Sequence, residues 1–137
     1  MDKLQYKIYH ENKTHTPDDF PYNTYLCSIP LDFHSINLHW HDEVEIIVIK
    51  KGIGIVSVDL TTYSVSAGDI IFVLPGQLHS ISQKDNEIME YENILFKSSL
   101  LKSSGYDLCS DKFIQPLFSG SLNICPVINN QTPYYPP

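Results

Sequence analysis

Short apolar segments broken by turn residues recur along most of this chain, and that rhythm restricts what it can fold into. Val44–Lys50 is an almost continuous apolar run, ended by Gly52. Gly54–Leu60 carries Ile55, Val56, Val58 and Leu60 and leads to a turn expected at Thr61–Thr62. Tyr63–Val65 is a short strand before the turn Ser66-Ala67-Gly68-Asp69. Ile70–Leu74 stops at Pro75-Gly76, His79–Ser82 stops at a polar turn, Lys84–Glu87, and Ile88–Phe96 is the last clear strand. Ahead of these, Lys3–Tyr9 alternates Leu4, Tyr6 and Ile8 with polar residues, as a half-buried strand does. Asn12–Asn23 reads as a loop, and Thr24–Ile29 and Ser35–Trp40 as strands. Strands every 8–12 residues or so, with turns between them, indicate a β-sandwich or barrel.

Composition agrees with this pattern. Ala67 is the only alanine among 137 residues, while Ile and Tyr are abundant, which disfavours a helical bundle. Acidic residues outnumber basic ones 16 to 9, for a formal charge of −7. Every basic residue is Lys. A chain without Arg and without a basic face is a poor nucleic-acid binder by itself. Cys27, Cys109 and Cys125 form no CxxC pair. An odd, sparse set of this kind argues against a disulfide framework and for small buried side chains. The start of the chain has no apolar core of a signal peptide, so the expected location is cytoplasmic.

After Phe96 the texture changes. Lys97–Lys102 and Lys112–Phe118 suit short helices. Ser119–Pro137 is rich in Asn, Pro and Ser and reads as a linker or domain edge. The expected division is an N-terminal arm and loop over residues 1–20, a binding domain over 21–118 and the linker over 119–137.

The chemistry concentrates in His39-Trp40-His41-Asp42-Glu43-Val44-Glu45. His39, His41 and Glu45 share parity, so one face of one strand would present two imidazoles and a carboxylate. Such donors suit a divalent transition metal: Zn, Ni, Mn or Fe. His79, after the Pro75-Gly76 turn, is the candidate fourth ligand. Trp40 has the opposite parity and is assigned to packing. Tyr25, Tyr63 and Tyr91 are candidate lining residues. Glu43 is expected on an exposed face. His10, His15 and His34 are expected in solvent.

These residues resemble the cupin family, small jelly-roll barrels. His39, His41, Glu45 and Gly52 match its first motif, His-x-His-x-x-x-Glu followed by Gly. Gly68-Asp69 and Pro75-Gly76-Gln77-Leu78-His79 match the ends of its second. The spacing departs from the general pattern: His79 is one residue nearer the Pro, Phe33 stands where a Gly is expected, and the final Asn has no match. Those departures are similar to the N-terminal sensing domain of AraC-type transcriptional regulators. Ala67-Gly68-Asp69-Ile70-Ile71, Ile94-Leu95-Phe96 and Phe113-Ile114-Gln115-Pro116-Leu117 add to that likeness.

The resemblance implies an all-β jelly-roll fold, with one or two short helices after the last strand. It implies a small effector, often a sugar, held in the barrel, for which His39, His41, Glu45, His79 and Tyr91 are the candidate binding residues. It also implies an arm near the pocket mouth, possible homodimers, and DNA contact through a helix-turn-helix domain absent from this chain. Three readings of the four clustered residues stay open here: metal ligands, polar pocket lining, and structural hydrogen bonding. So do two classes of function. One is a non-enzymatic sensor. The other is a small cupin metalloenzyme, of dioxygenase or sugar isomerase type, using the same four ligands. A storage or purely structural cupin is a third possibility. Without Arg for bidentate capture of carboxylate or phosphate, the chain suits a neutral polyol or a cation, and a neutral sugar or oligosaccharide is the preferred ligand.

Overall fold

The computed structural model describes residues 1–11, 15, 22–101, 115–118 and 124–133. The eight strands among the described residues are β1 (Tyr22–Ile29), β2 (Ser35–His39), β3 (Val44–Val58), β4 (Thr61–Ser66), β5 (Ile70–Val73), β6 (His79–Gln83), β7 (Met89–Phe96) and β8 (Val127–Ile128). They pair antiparallel in two runs, β1-β7-β3-β5-β8 and β2-β6-β3-β4. The result is the all-β class that the strand rhythm predicts, in the jelly-roll form that the cupin resemblance implies.

The two runs share β3. The sequence splits β3 into two strands at Gly52, but the structure carries one strand through it. Gly52 has φ +80°, and the pairing with β7 slips by one residue between Ile49 and Lys51. That slip is a β-bulge, and it reverses which parity faces the core. Ile47 and Ile49 are buried before it, Val56 and Val58 after it. Together with Ile29, Val65, Ile71, Val73, Ile81, Met89 and Tyr91 they fill the space between the two runs. Burial of each such aliphatic side chain contributes about 1.5–3 kcal/mol. On the other face Val44 is buried, while Ile46 and Val48 are only partly covered.

The β3–β4 hairpin turns at Asp59–Leu60, not at Thr61–Thr62. Val58 pairs with Thr61, and both loop residues have positive φ, as a two-residue primed turn requires. Lys3–Ile8 is a helix, α1, and not a strand. Asp2 caps it by accepting a hydrogen bond from Gln5 N at 2.8 Å. Only one residue of the apparent alternation, Tyr6, is partly buried; Leu4 and Ile8 are exposed. Six residues are too few to separate a helical period from an alternating one.

β7 is not the last strand. A 3-10 turn (Ser98–Leu101) and a short helix, α2 (Gln115–Phe118), follow it as expected, but β8 then pairs with β5 inside the predicted linker. Tyr22–Asn23, predicted as loop, begins β1. Cys27 is partly buried against the core, whereas Cys125 is exposed rather than buried. Most of the predicted loop 12–23, most of the predicted helix 112–118 and Cys109 lie outside the described residues. No helix among the described residues is long and apolar enough to cross a membrane.

Gly52 tests the shared strand. A Cβ there would fall 1.8 Å from the backbone oxygen of Ile88, on top of its positive φ. Gly52→Ala is expected to destabilise the fold by about 3 kcal/mol. Gly54→Ala, whose Cβ clashes only with the end of the Met89 side chain and otherwise makes an ordinary contact with Ser82 O, should cost clearly less. Urea unfolding of both variants checks the order.

Candidate functional site

The cross-strand register determines what faces the interior. Cys27, Tyr91 and Ile49 stand in one row across β1, β7 and β3; Tyr25, Asn93 and Ile47 stand in the next; Leu95 and Glu45 follow. From the opposite run, Ile36 pairs with Ile81 and His39 with His79. These two walls line a half-open cavity of about 260 Å³. Phe33, Ile36, Ile81 and Leu95 give it apolar surface, and Tyr25, Tyr91, Asn93 and Cys27 a mixed wall. One end is polar, with His39, His41, Glu45, His79, Glu11 and His15.

The four residues singled out by spacing do converge. One donor atom from each of His39, His41, Glu45 and His79 lies within 4.8 Å of the others. They do not share one strand face, however. His39 ends β2, His41 lies in the β2–β3 connection, Glu45 follows the start of β3, and His79 opens β6. His41, Glu45 and His79 are each at most 3% exposed.

Each imidazole is held from behind by a main-chain carbonyl. Nδ1 of His39 donates to Asn37 O at 2.6 Å, that of His41 to Glu43 O at 3.1 Å, and that of His79 to Gln77 O at 2.9 Å. A carbonyl only accepts, so the Nδ1 proton is assigned by these contacts and Nε2 is left facing the cluster. His41 Nε2 lies 3.1 Å from Glu45 Oε2. His79 Nε2 lies 2.7 Å from the same oxygen but off the hydrogen-bonding direction, so this buried nitrogen lacks a well-formed hydrogen bond.

Lone pairs aimed at a buried carboxylate repel unless a proton or a cation lies between them. Three imidazoles with oriented Nε2 atoms and one carboxylate form a donor set that fits a divalent transition metal. Without metal, protons do this work. Burial pushes Glu45 up, but contacts with His41 and His79 outweigh it and hold the carboxyl far below its usual range. Burial pulls His41 down, and its hydrogen bond to Glu45 with the Glu45, Glu43 and Glu11 charges raises it on balance. Burial and the neighbouring His79 lower His39.

Several expectations change here. His15 is not solvated: Nε2 meets Glu11 Oε2 at 3.0 Å, Nδ1 meets the Tyr25 hydroxyl at 3.1 Å, and its ring stands edge-on to His41. Glu43 is buried rather than exposed, and its Oε1 accepts from the His15 amide at 3.1 Å. Tyr25 and Tyr91 line the cavity, whereas Tyr63 packs against the core. Trp40 stays off the cavity and stacks on Tyr6, with ring centroids 4.7 Å apart. His10 and His34 are exposed. Glu11 and Asn93 were not legible as lining residues, because nothing local in the sequence marks them. The Tyr91 hydroxyl and Asn93 Oδ1 are buried without a well-formed hydrogen bond among the described residues. Burial, together with the Cys27 thiol beside it, raises the Tyr91 hydroxyl strongly, so it stays protonated and can donate.

A family model described as an AraC-like ligand binding domain matches residues 25–125. The chain is 31% identical over 78 residues to the Uncharacterized HTH-type transcriptional regulator YdeC of Bacillus subtilis (strain 168), a match covering 56% of this chain and 27% of that one. It therefore spans about a quarter of the length of this curated relative. A cupin protein from Bacteroides fragilis superposes with TM-score 0.54 at 21% identity, over 66% of this chain and 79% of the other. The cupin domain of Schizosaccharomyces pombe Cnp3 gives 0.53 at 16% identity, over 59% of each chain. A Thermotoga maritima protein described as a predicted oxalate decarboxylase gives 0.50 at 28% identity, over 54% of this chain and 64% of the other. The first two structural likenesses show the cupin fold.

The pH dependence of the metal-free protein follows from the cluster. Glu45 has a lowered folded value, so its contribution is present above its ordinary 4.5 and is lost as pH falls toward the folded value. His41 has a raised folded value, so its contribution is complete below the ordinary 6.5 and is lost as pH rises through the folded value. Thermal melts of the metal-free protein should therefore peak between these limits and decline on the alkaline side. His41→Asn should flatten that decline. Added zinc should reverse it, since imidazoles must lose their protons to bind metal.

Proposed function

Because the chain belongs to the AraC-like ligand binding domain family, we propose that it is the effector-sensing domain of a transcriptional regulator whose DNA contacts lie in a separate helix-turn-helix domain. The charge of −7 and the absence of Arg support the division of labour, since this part repels a phosphate backbone.

The effector is a small neutral polyol of monosaccharide size. The cavity carries this reading: about 260 Å³, half open, with apolar surface and buried polar groups left for a ligand to satisfy. The Tyr91 hydroxyl and Asn93 Oδ1 would donate to and accept from ligand hydroxyls on one wall. At the polar end His39, His41, Glu45 and His79 would hold a divalent metal, which supplies a Lewis-acid position for vicinal hydroxyls when bound. The three carbonyl-anchored imidazoles keep that end rigid, and Ile36, Ile81 and Leu95 give the pocket its apolar surface. Without an Arg, the site is poorly matched to carboxylates and phosphates.

Purified protein incubated with zinc should retain close to one equivalent per chain, and His79→Ala should retain much less; under about a tenth of an equivalent in the parent protein would remove the metal from the proposal. A thermal-shift panel of monosaccharides tests the effector. One or more should raise the melting temperature, as binding to the folded state must. Asn93→Leu should weaken that ligand about tenfold, the cost of one lost hydrogen bond. A panel with no shift would sink the polyol assignment. Turnover of the bound sugar would sink the sensor reading and move the protein to the cupin metalloenzymes.

A further inference from the structure

The barrel is not the only source of donors at the polar end. Ahead of it, the chain from α1 is pinned to Trp40, the residue between His39 and His41. Trp40 N donates to Tyr9 O at 3.0 Å, Glu11 N donates to Trp40 O at 2.9 Å, and His10 forms a parallel bridge with Trp40. The indole holds the same segment: Nε1 donates to Tyr6 O at 2.8 Å, and its ring packs on Tyr6 and His10. The Tyr6 hydroxyl donates to Gly76 O, in the turn that leads to His79. Together these contacts deliver the Glu11 side chain to the cluster. Its Oε2 stands 3.7 Å from His39 Nε2 and 3.0 Å from His15 Nε2.

We propose that Glu11 is a fifth protein donor to a divalent metal held by His39, His41, Glu45 and His79, supplied from outside the barrel. The argument is one of unmatched lone pairs. His39 has its Nδ1 proton committed to Asn37 O, so its Nε2 faces Glu11 as an acceptor facing an acceptor. His79 Nε2 repeats the situation at Glu45. Two carboxylates thus border oriented Nε2 atoms of the cluster, Glu45 at His79 and Glu11 at His39, and a divalent cation between them satisfies both. A carboxylate serving only as a partner for His15 would not need to be held beside His39 by two backbone hydrogen bonds to Trp40 and a third from its indole. A second carboxylate also balances charge: with Glu45 alone the site keeps one positive charge, and with Glu11 it becomes neutral.

A metal held in part by Glu11 is linked to the docking of residues 3–11, because each strengthens the other by the same factor. Two reporters of that docking are built in. Trp40 is the one tryptophan of the chain and lies under the segment. Lys3 and Lys7 lie on α1, where trypsin cuts.

This inference rests on the metal reading of the four-residue cluster, and one titration separates the two. Zinc is titrated by calorimetry into metal-free parent protein, Glu11→Gln and His79→Ala, all full length. Glu11→Gln preserves side-chain shape and the backbone contacts to Trp40. It is expected to weaken zinc about tenfold, within the range for losing one supporting carboxylate, while His79→Ala weakens it further. In parallel, zinc should slow tryptic cleavage after Lys7 in the parent protein and leave the Glu11→Gln rate unchanged. It should also shift Trp40 emission in the parent only. Equal zinc affinity in parent and Glu11→Gln would overturn the role of Glu11 and leave the four-residue site standing. Absence of zinc binding in the parent would overturn the metal reading and this inference with it.

Discussion

The bulge in β3 is the constraint on which the remaining architecture depends. Before it, β3 lies between β7 and β5; after it, between β6 and β4. One strand can serve both runs only if its inward face changes parity part-way, and one extra residue near Lys50 does that. The sharp bend also needs positive φ at Gly52, where the Ile88 carbonyl leaves no room for a side chain. With the parity reversed, Glu45 and Ile47 on one half face the same interior as Val56 and Val58 on the other. The cavity exists because the two runs diverge around this strand.

The site carries a second constraint, a buried carboxylate among imidazoles. Burying Glu45 at 3% exposure is costly unless opposite charge surrounds it. His41, whose imidazole is raised by that carboxylate, provides such charge by taking a proton, and a cation shared with His79 would provide it as well. Main-chain carbonyls of Asn37, Glu43 and Gln77 hold all three rings in one tautomer, so the rings cannot turn away to relieve the repulsion. Such a cluster fits protons or a divalent cation, while the walls made by Tyr91, Asn93 and Leu95 are of mixed polarity.

Much of this was legible in residues close together in the chain. The spacing of His39, His41 and Glu45, and His79 after Pro75-Gly76, identified the cluster. The assignment to a single strand face failed because the chain leaves β2 after His39 and enters β3 at Val44. A turn between them brings His41 round by a route that parity counting does not describe. His15 and Glu43 were read as solvated because a polar residue without an apolar periodicity carries no local sign of burial. Their burial depends on each other: the His15 amide needs the Glu43 carboxylate. α1 was misread because six residues cannot display a helical period, and β8 was missed because two residues cannot display a strand.

What the sequence determined by itself was the all-β class, most strand positions and the four cluster residues. These rest on local alternation, turn chemistry and short-range spacing, which adjacent side chains encode directly. What only the tertiary structure decided was the path of β3 through both runs, the burial of His15 and Glu43, and the arrival of Glu11 beside His39. Each depends on contacts between segments far apart in the chain. The free energy of such contacts comes from desolvation and pairing in the assembled fold, and no single segment carries it.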